Sequence, residues 1–254
     1  MLGSSIFKQL LQKYRISLNK IVIVSTQLLY TTTRGKQSIM NDSKATILQL
    51  PLGPLQTNCY LLACNETGTA AVIDPSWDGR LLFDRAATEN WTIEQILLTH
   101  SHFDHVGGLA EIKELSNASI SIHPDAVPML ENAVTAGKLW QMTIPEPPPA
   151  DHMLSDGEKI LVGNLQLEVL FTPGHAPGHV CFYLKSENVL FDGDVLFRQG
   201  IGRTDLPGGD YDLLMDSIKR RLLTLPEETI VLSGHGPATT IAQERRTNPF
   251  LTQS

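Results

Sequence analysis

A chain of 254 residues with 42% hydrophobic residues can bury a sizeable core, as one large domain or two small ones. Its formal net charge of −7 argues against a nucleic-acid binder held by bulk electrostatics, and no apolar run approaches the length of a membrane span. The three cysteines, Cys59, Cys64 and Cys181, are few and odd in number and lack CxxC spacing, so no cysteine-based zinc site is expected. Cys59 and Cys64 would lie roughly 16 Å apart on an extended strand, too far for a disulfide. This usage fits a reducing compartment, and a cytoplasmic location is expected.

In chain order, residues 1–39 stand apart. Lys8, Lys13, Arg15, Lys20, Arg34 and Lys36 are basic, and no acid precedes Asp42. Three readings stay open: a leader before a true start at Met40, a basic transit-like segment, or a disordered arm. The first is favoured because a folded-domain pattern begins promptly after Met40, so the expected division is an extension, 1–39, and one domain, 40–254.

From Ala45 the pattern is regular. Residues 46–50, 59–62 and 70–73 read as strands between Pro, Gly and Asn turns, and 79–90 as a helix. Ile96-Leu97-Leu98 reads as a short buried strand, 109–115 as a helix and 119–122 as another strand. Residues 125–142 look helical until Pro145 and Pro147-Pro148-Pro149 break the chain, so 140–155 is either a flap or an ordinary surface loop. Two strands flank Gly163-Asn164, and 180–184 with 188–191 form a hairpin. A glycine-rich loop spans 200–209, and a helix from Tyr211 to about Leu223 is capped by Asp210. Residues 229–232 are the last predicted strand. Strands and helices in both halves predict two similar layers face to face, an α/β sandwich.

The stretch Thr99-His100-Ser101-His102-Phe103-Asp104-His105 sits between the 96–98 strand and the following helix. It holds three of the eight histidines in the chain. His100 and His102, one residue apart, suit two imidazoles on one metal, while Asp104 and His105 can serve a second. Three further polar signals each follow a predicted strand: Thr172-Pro173-Gly174-His175, Asp192-Gly193-Asp194 and Gly234-His235-Gly236. Together these offer His100, His102, Asp104, His105, His175, Asp194 and His235. Five imidazoles and two carboxylates suit zinc, iron or manganese and not calcium. Shared between two divalent ions, they leave coordination open for water, and Asp194 suits a bridge.

The order Asp74, HxHxDH, His175, Asp194, His235 resembles the metallo-β-lactamase fold hydrolases over residues 45–254. Within them the chain is most similar to the short bacterial form of the glyoxalase II type. The segments that carry this are 172–179 (Thr-Pro-Gly-His-Ala-Pro-Gly-His), Gly193-Asp194, the loop 200–209 and the tail Asn248-Pro249-Phe250-Leu251. The resemblance implies an αββα sandwich of the α/β (α+β) class with two divalent metals, most naturally zinc, on its upper edge. It places His100, His102 and His175 on one metal and Asp104, His105 and His235 on the other. Asp194 bridges them, Asp104 and Asp194 are the carboxylates of catalysis, and Asp74 supports a ligand from behind.

The activity so implied is hydrolysis of a small-molecule thioester such as S-lactoylglutathione, through a hydroxide held between the metals. Two departures matter. About nineteen residues follow His235, too few for the C-terminal helical domain of full-length glyoxalase II. Zinc-type β-lactamases commonly use cysteine where Asp194 stands, which leaves a lactamase, or another hydrolase of this fold, as a minor alternative. The competing reading is a mononuclear iron persulfide dioxygenase, which shares the Gly-Arg-Thr-Asp segment and matches His100, His175 and Asp194. Arg203 either orients a substrate carboxylate or pairs with Asp205. His179 is expected to pack or hydrogen-bond locally, and His123 and His152 to lie on the surface.

Overall fold

The computed structural model describes residues 43–252 and the backbone of Val22–Val24. Its first sheet has seven strands whose spatial order follows the chain: β1 (Val22–Val24), β2 (Ala45–Leu52), β3 (Thr57–Cys64), β4 (Thr69–Ile73), β5 (Thr92–Leu97), β6 (Ser119–Ile122) and β7 (His152–Met153). β1 to β4 are antiparallel, and β4 to β7 are parallel. The expectation that 1–39 stands outside the domain otherwise lies beyond the described residues.

Parallel neighbours need crossover connections. These are α1 (Gly79–Thr88) after β4, α2 (Phe103–Val106) and α3 (Leu109–Ser116) after β5, and α4 (Val127–Glu131) with α5 (Ala133–Leu139) after β6. The second sheet contains β8 (Lys159–Val162), β9 (Leu165–Phe171), β10 (Val180–Leu184) and β11 (Val189–Gly193). After a two-stranded ribbon of β12 (Leu196–Phe197) and β13 (Gly200–Ile201), the chain adds β14 (Ile230–Ser233) and β15 (Thr239–Thr240) to that sheet, in the order β15-β14-β11-β10-β9-β8. Its outer face carries α6 (Tyr211–Ser217), extended by a π-turn at Ile218–Leu222, and α7 (Ile241–Thr247), followed by α8 (Pro249–Thr252). Asp210 caps α6 by accepting from Leu213 N–H at 2.9 Å, as its position predicts.

The period of two along each strand sorts side chains into three apolar layers. On β3, Cys59, Leu61 and Ala63 pack towards α1 and α3 with Val72, Leu82, Ile96 and Ile112. Tyr60, Leu62 and Cys64 face the second sheet with Ile73, Val169, Phe182 and Phe191. Cys181, Leu190 and Val231 face outward to Leu214, Ile218 and Ile241. Helix, sheet, sheet, helix is therefore the layer order, the predicted αββα sandwich. Cys59 and Cys64 fall in different layers, and all three cysteines are free.

Three details depart from expectation. β5 begins at Thr92, ahead of the apolar 96–98 run: its first residues alternate exposed and buried and pair with β4 before β6 joins at Gln95. Asp104 and His105 lie in the one-turn helix α2, not in the turn before a helix. α7 was not anticipated; Thr240 caps it through Gln243 N–H, and Ile241 anchors it to the outer layer. The proline run carries no regular element.

Candidate metal centre

Strand direction brings the polar signals together. β4 and β5 run parallel, as do β11 and β14, and β9 runs the same way as β11 because both are antiparallel to β10. Asp74, residues 99–105, His175, Asp194 and His235 thus all emerge at strand C-terminal ends on one edge. Backbone bonds clamp the two sheets there: Val180 N–H donates to Thr99 O at 2.8 Å, and Asn58 N–H to Gly234 O at 2.7 Å.

All seven candidate ligands converge. One ligand atom from each of His100, His102 and His175 lies within 4.8 Å of the others, and the same holds for Asp104, His105 and His235. His102 Nδ1 is 3.1 Å from His100 Nε2 and 3.0 Å from His175 Nε2. Asp104 Oδ2 is 3.3 Å from His235 Nε2 and 3.7 Å from His105 Nε2. Asp194 stands between the two sets: its Oδ2 is 3.5 Å from both His175 Nε2 and His235 Nε2, and its Oδ1 is 3.5 Å from His105 Nε2.

Hydrogen bonds behind the rings fix which nitrogen faces the centre. His175 Nδ1 meets the Arg203 carbonyl at 2.7 Å, which only accepts, so the Nδ1 proton points away and Nε2 presents a lone pair. Thr99 donates its hydroxyl to Asp74 Oδ2 at 2.7 Å, so towards His100 Nδ1, 3.0 Å away, it must accept. His100 Nε2 is therefore also a lone pair. Asp74 Oδ2 accepts from His105 Nδ1 at 3.0 Å, leaving His105 Nε2 the inward atom. Asp74, His100 and His105 also lie close enough to count as a third group. However, Asp74 Oδ1 accepts from Thr99 N–H at 2.8 Å and Oδ2 serves two donors, so its oxygens are already engaged.

The buried His105 Nε2 and Asp194 Oδ1 have no hydrogen-bond partner. Lone pairs from several imidazoles and two carboxylates pointing at common positions repel one another unless cations lie between them. The donor set therefore fits divalent metals with nitrogen and oxygen ligands.

The electrostatics agree. Burial pushes the His100, His102 and His175 rings down, His102 to about 4, so they stay neutral. Burial opposes charge on His105 too, but the Asp194 and Asp104 carboxylates outweigh it and hold its pKa well up. His235 is likewise raised against its burial, by its bond to Asp104 and by Asp194. Burial would raise the carboxyls, yet His105 holds Asp194 far below the ordinary carboxylate range and Asp104 at about 2.

The Arg203 guanidinium pairs with Asp205 through bonds of 2.8 and 2.7 Å and lies 5.9 Å above the Trp140 ring. Its carbonyl, not its charge, serves His175. His152 is exposed and bonded to Glu158. His123 is not a free surface residue: its ring stacks on Phe171 at 4.4 Å and caps a short helical turn. Thr99 and Thr57 were not anticipated in their roles. Thr57 donates to Asp104 Oδ2 at 2.7 Å. The position of Thr99 beside the histidine cluster was a signal; Thr57, 47 residues from Asp104, offered none. A surface depression lined by Trp77, Asp78, Glu111, Glu114, Thr143 and Pro145 includes none of the seven converging residues.

The family model described as the metallo-beta-lactamase superfamily matches residues 52–235, which include every one of these seven. The chain belongs to the metallo-β-lactamase superfamily. Over 204 residues, covering 80% of the chain and 96% of each relative, it is 41% identical to the probable metallo-hydrolase YqgX of Bacillus subtilis and 38% identical to the hydroxyacylglutathione hydrolase GloC of Haemophilus influenzae. Among solved structures it is similar to BLEG-1, described as a B3 metallo-β-lactamase (TM-score 0.77, 45% identity, 81% of this chain and 99% of that one). TTHA1623 in a di-iron-bound form follows (0.75, 44%, 80% and 99%), with ETHE1 from Myxococcus xanthus beyond (0.70, 29%, 82% and 85%). The chain is thus a metallo-hydrolase superfamily enzyme.

Among the described residues, no helix is long and apolar enough to cross a membrane.

Proposed function

We propose that this protein is a binuclear metal-dependent hydrolase of small-molecule thioesters, with S-lactoylglutathione as its nominal substrate. The supporting observation is the place of Asp194 Oδ2, 3.5 Å from a nitrogen of each set, where one carboxylate can serve two ions. His100, His102 and His175 would hold one ion, and Asp104, His105 and His235 the other. Divalent cations bound there, zinc most naturally although a neighbour holds two irons, supply an ionised water at neutral pH and an electrostatic sink for charge on the carbonyl oxygen.

The chain's own residues do the rest. Asp74, Thr99 and the Arg203 carbonyl keep the imidazole protons on the outer nitrogens, and Thr57 holds Asp104. Nearly every polar side chain at the centre is engaged in this scaffold, which leaves no obvious general acid. A thioester suits such a site, because a thiolate departs without one. The resemblance to GloC points to the same substrate class. The reading is tested by assaying S-lactoylglutathione hydrolysis before and after metal removal, with a β-lactam and a glutathione persulfide as parallel substrates. Activity lost on chelation, restored by metal and confined to the thioester supports it; turnover of only another substrate overturns it.

The second reading, a one-iron persulfide dioxygenase, draws on the likeness to ETHE1. It leaves the second set of buried Asp104, buried His105 and half-exposed His235 without a task.

Two expected results follow. Asp74→Asn should weaken metal binding by about 10- to 100-fold while the fold holds. Whichever way the amide turns, its NH2 meets a donor: Thr99 N–H on one side, or the Thr99 hydroxyl and His105 Nδ1–H on the other. Competition titration with a chromophoric chelator reads this, and unchanged affinity would remove Asp74 from the support.

Metal affinity should also fall on acidification. His105 and His235 have raised pKa values without metal, so binding must expel their protons when the pH lies below those values. Affinity should therefore drop about tenfold per pH unit for each proton displaced, and level off as pH rises past the raised values. Proton release measured by calorimetry in two buffers checks this; no release near neutral pH would contradict it.

A further inference from the structure

Behind the metal centre runs a second buried polar line that is not needed to hold a cation. Asp194 N–H donates to His179 Nε2 at 3.1 Å. A backbone N–H can only donate, so Nε2 carries the lone pair and the His179 proton sits on Nδ1. That proton meets Thr172 Oγ1 at 3.0 Å. The Thr172 hydroxyl, acting as acceptor there, is free to donate to Cys181 Sγ at 3.2 Å. Cys181 in turn donates to the Asp192 carbonyl at 3.3 Å, with Asp192 Oδ1 at 3.6 Å. The line leaves the Asp192-Gly193-Asp194 turn at one end and re-enters it at the other. Every side chain in it is buried.

The turn needs such a grip. Gly193 has φ 56°, a left-handed conformation, and a Cβ there would stand 2.6 Å from His179 Nε2, so turn and ring are in close contact. Asp194 Oδ1 has no hydrogen-bond partner of its own. Besides its 3.5 Å contacts with the histidines, the carboxylate is aimed by its backbone, and at Asp194 N–H that backbone is held by His179. Both ring nitrogens of His179 are engaged, so it is not a metal ligand, although it stacks on His100 at 4.9 Å.

We propose that His179 is a positioning residue that aims the Asp194 carboxylate between two metal ions through the Asp194 backbone N–H, with Thr172 setting its tautomer. This rests on the reading of Asp194 as the shared carboxylate.

Two substitutions separate positioning from packing. His179→Phe keeps a ring against His100 and removes the acceptor. His179→Gln removes the ring and can return a carbonyl oxygen near the Nε2 position. The measurement is Zn²⁺ affinity and stoichiometry of the full chain by chelator competition, with the absorption spectrum of the cobalt-substituted protein. The Phe variant should bind one of its two ions about 10- to 100-fold more weakly and show an altered cobalt spectrum, and the Gln variant should recover most of the affinity. Equal affinity in the Phe variant and wild type, or equal losses in Phe and Gln, overturns the proposal. If the Phe variant does not fold, Thr172→Val is read the same way, because it removes the acceptor for Nδ1–H, along with the hydroxyl's bond to Cys181 Sγ, and leaves both rings in place. A weaker second ion supports the proposal, and an unchanged one overturns it. A wild-type chain that binds only one ion overturns the shared-carboxylate reading itself. Two-ion binding shared unchanged by wild type and the Phe variant sinks only the role of His179.

Discussion

Asp194→Asn is expected to lower thioester turnover by at least about a hundredfold while leaving the fold intact. The substitution conserves size, but it removes the charge that faces His175, His235 and His105 at 3.5 Å each. An amide offers one carbonyl oxygen and a donor group in place of two anionic oxygens, so one of its sides turns an N–H towards inward lone pairs. The pair of ions should separate, or one should leave. The three apolar layers do not involve this residue, so the far-ultraviolet circular dichroism spectrum should be unchanged. Steady-state kinetics with metal analysis of the same sample measures both effects. Full activity with two ions bound would show that Asp194 is not shared.

Gly234→Ala should be nearly as damaging, for a different reason. Gly234 does not lie in the left-handed region, so alanine carries no backbone penalty there. Its Cβ, however, would stand 2.2 Å from Asp194 Oδ1 and 2.6 Å from His105 Cε1. No real side chain tolerates those separations, so one or both ligands must move. A displacement of about 1 Å at a reacting centre can cost about a hundredfold in rate, and overpacking adds about 1–3 kcal/mol of lost stability. The expected result is a large loss of activity with a modest fall in melting temperature. Wild-type turnover in a folded Gly234→Ala protein would mean that the site gives way more easily than its packing implies.

The site was legible in the sequence to an unusual depth because its marks are local. Histidine is scarce in this chain, and each group of candidate ligands closely follows an apolar run that reads as a buried strand. Once those strands share a direction, their C-terminal ends share an edge, so Asp74, His100, His175, Asp194 and His235 converge without any long-range guess. The αββα layering was likewise legible in the succession of strands and helices in both halves of the chain. What escaped depends on partners distant in the chain or on common residue types. Nothing about Thr57 announces that it will meet Asp104, and no local pattern says that His179 will accept from the Asp194 backbone. The Arg203 side chain had two equal readings, substrate or Asp205, and only the fold shows it held by Asp205 above Trp140. α7 was missed because its short buried face, Ile241 and Glu244, is too brief for a periodic signal.

If this chain works as a two-metal thioester hydrolase, metal stoichiometry and chemistry must agree on one sample. The most direct test measures metal content per chain together with S-lactoylglutathione hydrolysis and oxygen uptake on the same purified protein. The expected result is two divalent ions per chain, thioester cleavage that disappears on chelation and returns on metal addition, and no oxygen consumption. One iron per chain, with oxygen consumed in the presence of glutathione persulfide and no thioester cleaved, would contradict it.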